Sequence, residues 1–131
     1  MIDHLSTYAT DFIATKTFYQ SVFKPLGYSI QMEFAVPGNP DLPEQRMCAF
    51  GPEGKPIFWV IETNEKHSPR HVAFTADTRS KVQAFYDAGI SHGAKDNGAP
   101  GPRPMYHEHY YGAFLYDPDG NNVEAVCHTP E

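Results

Sequence analysis

The same landmarks occur twice along this chain, in nearly constant register. His4 and His71 are 67 positions apart, and Phe18-Tyr19 and Phe85-Tyr86 are also 67 apart. Pro52-Glu53-Gly54 and Pro118-Asp119-Gly120 follow at 66, a slip of one residue over half the chain. A repeat of this kind means one supersecondary unit built twice. The competing account is two unrelated halves that converge on the same turn residues. A repeat makes a stronger demand: a residue with a task in one copy has a counterpart to inspect in the other.

Each copy reads as a strand, a helix and further strands. Residues 2–9 alternate apolar and polar, as a half-buried strand does, and Thr10-Asp11 offers a helix cap. Ile13, Phe18, Val22 and Phe23 then recur at helical spacing until Pro25 and Gly27 stop the helix. Tyr28–Val36 reads as a strand, residues 37–43 as a loop on turn chemistry, and Arg46–Phe50 with Ile57–Ile61 as a hairpin. The second copy repeats the plan. Residues 71–76 form a strand, Asp77 caps a helix carrying Val82, Phe85 and Ala88, and the helix ends near Gly93. A Gly/Pro-rich polar stretch over 97–104 leads to a hairpin of Tyr110–Tyr116 and Asn122–Cys127 around Asp117-Pro118-Asp119-Gly120. The expectation is an α+β domain over 1–131, with module 1 at about 1–64 and module 2 at about 68–128.

Composition narrows the partners. The net charge of −6 leaves no basic surface to neutralise phosphates, so nucleic acid is not expected. No apolar run approaches the roughly 18 residues of a membrane span, and residues 1–4 lack signal-peptide character. Two cysteines, Cys48 and Cys127, read as reduced cytoplasmic thiols rather than a disulfide framework. A small molecule is the expected partner.

His4 and His71 each lie on the first strand of their module, and imidazole nitrogens so placed are common metal ligands. Glu124 lies within Asn-Asn-Val-Glu-Ala-Val, where Val123 and Ala125 face one side and the carboxylate the other. Burying that carboxylate is costly unless something pairs with it. Two imidazoles and a carboxylate with open positions suit a divalent ion acting as a Lewis acid, or an Fe(II) oxygenase centre. A hydrogen-bonded core histidine and a solvated glutamate are the plainer alternatives.

The segments carrying these residues resemble the vicinal oxygen chelate superfamily of glyoxalase I, extradiol dioxygenases and bleomycin or fosfomycin resistance proteins. They are Asp3-His4-Leu5, Phe18-Tyr19, Leu26-Gly27-Tyr28, His71-Val72-Ala73-Phe74 and Asp117-Pro118-Asp119-Gly120-Asn121-Asn122-Val123-Glu124. The resemblance implies two βαβββ modules whose curled mixed sheets surround a shared cleft. It also implies a divalent metal (Zn, Fe, Mn, Ni or Co) held by His4, His71 and Glu124. Homodimers are common among such proteins, and in some the cleft is shared between chains. Glyoxalase I-like members take a fourth ligand, a glutamate, from the last strand of the first module. Transferring Glu124 by 66 residues lands on Phe58, and a turn two residues longer lands on Val60. Neither ligates a metal. Glu62 shares their strand parity and is the possible fourth ligand.

The segment Met105–Tyr111 concentrates further polar chemistry. On a strand, His107 and His109 would point the same way, as acid/base groups or as part of an edge. Arg103 is a candidate for an anionic substrate group, and Phe58, Val60 and Tyr110 are expected to line the substrate. The combined expectation is a glyoxalase-like metal-dependent lyase or isomerase, with Glu124 as its base. Its substrate would be small and chelate the ion through vicinal oxygens. A ring-cleaving dioxygenase and a metal-free drug- or metabolite-binding protein are the alternatives.

Overall fold

A computed structural model describes residues 1–131. The first module runs β1 (Leu5–Ala9), α1 (Phe12–Phe23), β2 (Ser29–Asn39), β3 (Leu42–Gly51) and β4 (Phe58–Glu62). The second runs β5 (His71–Thr75), α2 (Arg79–Ser91), β6 (Lys95–Pro102), β7 (Tyr111–Tyr116) and β8 (Asn122–Cys127). Each forms a four-stranded mixed sheet, ordered β1-β4-β3-β2 and β5-β8-β7-β6. The first strand of each module pairs in parallel with its last, and the other pairings are antiparallel. A parallel pair needs a long crossover, and the helix supplies the start of it. This is the expected α+β architecture of two βαβββ repeats.

Local chemistry explains most element boundaries. Asp11 caps α1 by accepting from the Ala14 amide, as an N-cap side chain does. Gly27, at φ 80°, closes the following 3-10 turn. Three boundaries differ from the sequence expectation. Thr78, not Asp77, caps α2 by accepting from the Lys81 amide, while Asp77 pairs with the Lys81 ammonium. Residues 37–43 are not an open loop. Asn39 accepts from the amides of Asp41 and Leu42 and folds a tight hairpin, so β2 and β3 run on to form a long ribbon. The 97–104 stretch is largely strand β6, and Pro37 and Pro102 fit because β2 and β6 are edges.

The core lies on the helix side of both sheets. Phe23 of α1 meets Phe50, Phe58 and, across the module boundary, Phe74, with ring centroids 5.4, 5.8 and 4.7 Å away. Helix α2 sits so close to β7 that a Cβ on Gly89 would fall 2.3 Å from Leu115 Cδ1. Polar groups tie the modules as well. Buried Asp117 accepts from the Tyr19 hydroxyl at 2.6 Å, the Asn121 side chain at 2.9 Å, and the Asp119 and Asn121 amides. Asp119 accepts from the amide and hydroxyl of Thr10, and Asn121 donates to Thr7. The Asp-Pro-Asp-Gly turn is therefore a bracket between modules.

Candidate functional site

The strand pairing β5·β8 places His71 and Glu124 together on the face opposite the core. Val123, Ala125 and Cys127 belong to the core, and by alternation Glu124 points the other way. It is nevertheless only 2 % exposed. His71 Nε2 lies 3.1 Å from Glu124 Oε1. His71 Nδ1 lies 3.1 Å from the carbonyl of Asn122, which can only accept, so Nδ1 carries the proton. In the neutral ring Nε2 is then a bare lone pair facing a carboxylate oxygen. Two acceptors so placed require a cation between them, either a proton or a metal ion. A backbone carbonyl that sets the histidine tautomer is also the usual outer support of a ligating imidazole.

The second oxygen of Glu124 is held separately. The Tyr110 hydroxyl donates to Oε2, which leaves Oε1 for the cation. Burial, followed by this bond to a carboxylate, pushes the Tyr110 phenol well above its ordinary pKa, so it stays a donor. Gly112 makes the approach feasible. A Cβ there would come within 3.2 Å of both Glu124 Oε2 and Tyr110 Cε1. Phe114 packs beside His71, their rings 6.3 Å apart.

The other candidates fall elsewhere. His4 is exposed just before β1, with Nδ1 2.6 Å from Asp3 Oδ1. This contact also leaves its Nε2 free, but His4 does not join the pair within one chain. No three His, Cys, Asp or Glu side chains of the chain assemble into a metal cluster. The 105–109 segment is a turn rather than a strand, so His107 and His109 do not share a face. His107 Nδ1 accepts from the His109 amide, and its Nε2 therefore donates to Nδ1 of His128 at 2.8 Å. His109 sits 3.2 Å from Glu108. Arg103 is held by carbonyls of Ala99, Gly101 and Pro102, with its guanidinium over Phe114. Its donors mostly face backbone.

Three expectations for the first module are corrected. Phe58 and Val60 are core residues, 2 % and 0 % exposed, and cannot line an open-face site. Glu62 shares their parity and lies on the helix side, where Arg46 donates to both its oxygens at 3.0 and 2.6 Å. Strand register shows why the repeat arithmetic missed. Ala73 pairs with Glu124, and its counterpart Ser6 pairs with Trp59. On the antiparallel side Phe114 pairs with Glu124 and Ala49 with Trp59, an offset of 65 in both strands. The two connections are equally long, but Pro-x-Gly sits one residue earlier in the β3–β4 turn than in the β7–β8 turn, so its offset of 66 is not that of the strands. One residue moves a strand's whole set of side chains to the opposite face. Trp59 is the counterpart of Glu124, and sequence reasoning passed over it.

A cleft of about 680 Å³ lies away from this pair, among Ala14, Thr17, Phe18, His92, Lys95 and Tyr116. Its lining brings no three metal-ligating side chains together. As donors for a divalent ion His71 and Glu124 fit: one imidazole lone pair and one carboxylate oxygen, each with an outer support. They amount to part of a coordination sphere.

The chain is thus a two-module α+β protein with a histidine and a glutamate on the open face of its second sheet. Comparison agrees: the profile of the Glyoxalase/Bleomycin resistance protein/Dioxygenase superfamily matches residues 1–125, and the chain belongs to that superfamily. Solved structures share the fold. A glyoxalase/bleomycin resistance protein from Albidiferax ferrireducens is 23 % identical, with 98 % of this chain and 99 % of that chain covered and a TM-score of 0.69. A Frankia domain described as glyoxylase/bleomycin resistance protein/dioxygenase is 13 % identical, covering 97 % and 96 % at TM-score 0.70. A glyoxalase I variant from Zea mays is 22 % identical with TM-score 0.68, and this chain, 99 % covered, spans 45 % of it. Comparison with curated proteins finds no match.

Proposed function

We propose that the chain is a glyoxalase-like, metal-dependent enzyme of the lyase or isomerase type, acting on a small substrate that offers two vicinal oxygens. The observation that carries this reading is the placement of His71 between the Asn122 carbonyl and Glu124. Its Nδ1 proton is fixed by the Asn122 carbonyl, and its bare Nε2 faces Glu124 Oε1 at 3.1 Å. A bound divalent ion would supply Lewis acidity to a developing enolate or oxyanion. Glu124 is the group that takes and returns the proton, and Tyr110 keeps its second oxygen oriented.

The third donor in this reading is His4 of a second copy. The open face of the first module supports that pairing. Tyr8, Met32 and Phe34 are 38 %, 44 % and 41 % exposed there, an apolar sheet surface that a soluble chain normally covers. Two free buried thiols, with burial pushing Cys48 up to about 12, support a reducing cytoplasmic setting. No helix is long and apolar enough to cross a membrane.

The test is metal analysis of the purified protein with sedimentation equilibrium. One divalent ion per chain is expected in a dimer, lost in His71→Ala, Glu124→Gln and His4→Ala. A protein that takes up no divalent metal and binds its ligand unchanged in these variants would be a metal-free binding protein instead.

A further inference from the structure

The first module keeps the position of Glu124 and changes its chemistry, and that change bears on the substrate. Trp59 stands where the repeat puts Glu124, on the same open face and in the same pairing register. Phe34 meets its indole edge-on at 5.9 Å, and Tyr8, Met47 and Ile61 share its face by alternation. The charged residues of these strands fall on the other side. Glu33 pairs with Lys16 of α1, and Arg46 pairs with Glu62 while its guanidinium lies over Phe12 of α1. The open face of the first module is thus apolar and aromatic, and that of the second carries His71, Glu124, Tyr110 and Phe114.

We infer that Trp59 is a specificity-determining residue: its indole replaces a fourth protein ligand and forms the wall on which a flat, conjugated substrate stacks. The substrate class is an aryl compound bearing two adjacent oxygens, with the oxygens toward the His71–Glu124 side and the ring against Trp59. This rests on the proposed pairing of module faces between two copies. The physical reasons are direct. An indole donates no lone pair to a metal, so one coordination position stays open for substrate oxygen. A face without charged side chains offers no counter-charge to a phosphate, whereas offset stacking rewards an aromatic ring beyond its burial.

Trp59 is the chain's one tryptophan, so its fluorescence reports this position alone. Full-length protein is titrated with Co(II), following heat and fluorescence together. Stoichiometric binding with quenching of Trp59 along the same isotherm is expected. The loaded protein is then titrated with 4-nitrocatechol, an aryl probe, and with acetohydroxamate, an aliphatic chelator. Trp59→Leu is expected to weaken 4-nitrocatechol about tenfold, with Trp59→Phe restoring most of it and acetohydroxamate shifting less than twofold in both. If Co(II) binds without quenching, or both probes weaken equally, the role of Trp59 is overturned while the metal reading stands. Failure to bind Co(II) at all overturns both.

Discussion

The Tyr19 hydroxyl donates a 2.6 Å hydrogen bond to Asp117 from one module to the other, within a buried network that also engages Asn121. Burial and then the neighbouring Asp117 charge raise the Tyr19 phenol well above its ordinary pKa, so it remains a donor throughout the accessible pH range. Tyr19→Phe should cost about 1–2 kcal/mol, the usual result of leaving a buried acceptor one donor short. Asp117→Ala strands several donors at once and should cost about 3 kcal/mol or more. Urea denaturation checks both. An unchanged midpoint in either variant would rule out the bracket as a source of stability.

The packing of α2 on β7 allows no side chain at Gly89. A Cβ 2.3 Å from Leu115 Cδ1 forces the helix or the leucine to move. Gly89→Ala should therefore destabilise the chain by about 1–3 kcal/mol, the range for overpacking a core, despite alanine's better helix propensity. Thermal denaturation decides the sign.

Arg46 holds the Glu62 carboxyl below its ordinary value of 4.5, chiefly through the side-chain hydrogen bond. A lowered folded-state pKa contributes stability that is present above the unfolded value and lost as pH falls through the folded one. The gap in stability between the protein and Glu62→Gln should thus be full at neutral pH and shrink below about pH 4.5. Its size should stay near 1 kcal/mol, because Arg46 remains partly exposed. Denaturation curves taken across that acid range measure it.

Tyr110 supports Glu124 without being a proposed ligand. Tyr110→Phe should leave the fold intact and weaken divalent-metal affinity roughly 10- to 100-fold, as loss of an outer-shell hydrogen bond does. Calorimetric titration with zinc reads this directly. An unchanged affinity would mean that Glu124 needs no such anchor.

Much of this protein is written in local pattern. The register of Phe18-Tyr19 with Phe85-Tyr86 declares the repeat, Asp11 announces the α1 cap, and the two Pro-x-Gly turns place the hairpins, because capping and turn chemistry act over a few residues. His71 and Glu124 were legible too: parallel pairing of a module's first and last strands brings them together, and alternation sets their face. The Asp-Pro-Asp-Gly turn was legible as a motif, whereas its work was not. Its carboxylates reach Thr10 and Tyr19, about a hundred residues away in sequence.

By itself the sequence determined two matching modules, their elements, and a histidine and glutamate on one open face. Only the tertiary structure decided which side of β4 faces the core. The Pro-x-Gly motif sits one residue earlier in the β3–β4 turn than in its counterpart, so aligning the copies on it reverses every side chain of β4. Phe58 and Val60 therefore went to the core, Glu62 to Arg46, and Trp59 to the place that Glu124 holds in the second module. His4 likewise stays apart from His71, because helices and aromatic core join the modules within a chain and leave their open faces unpaired.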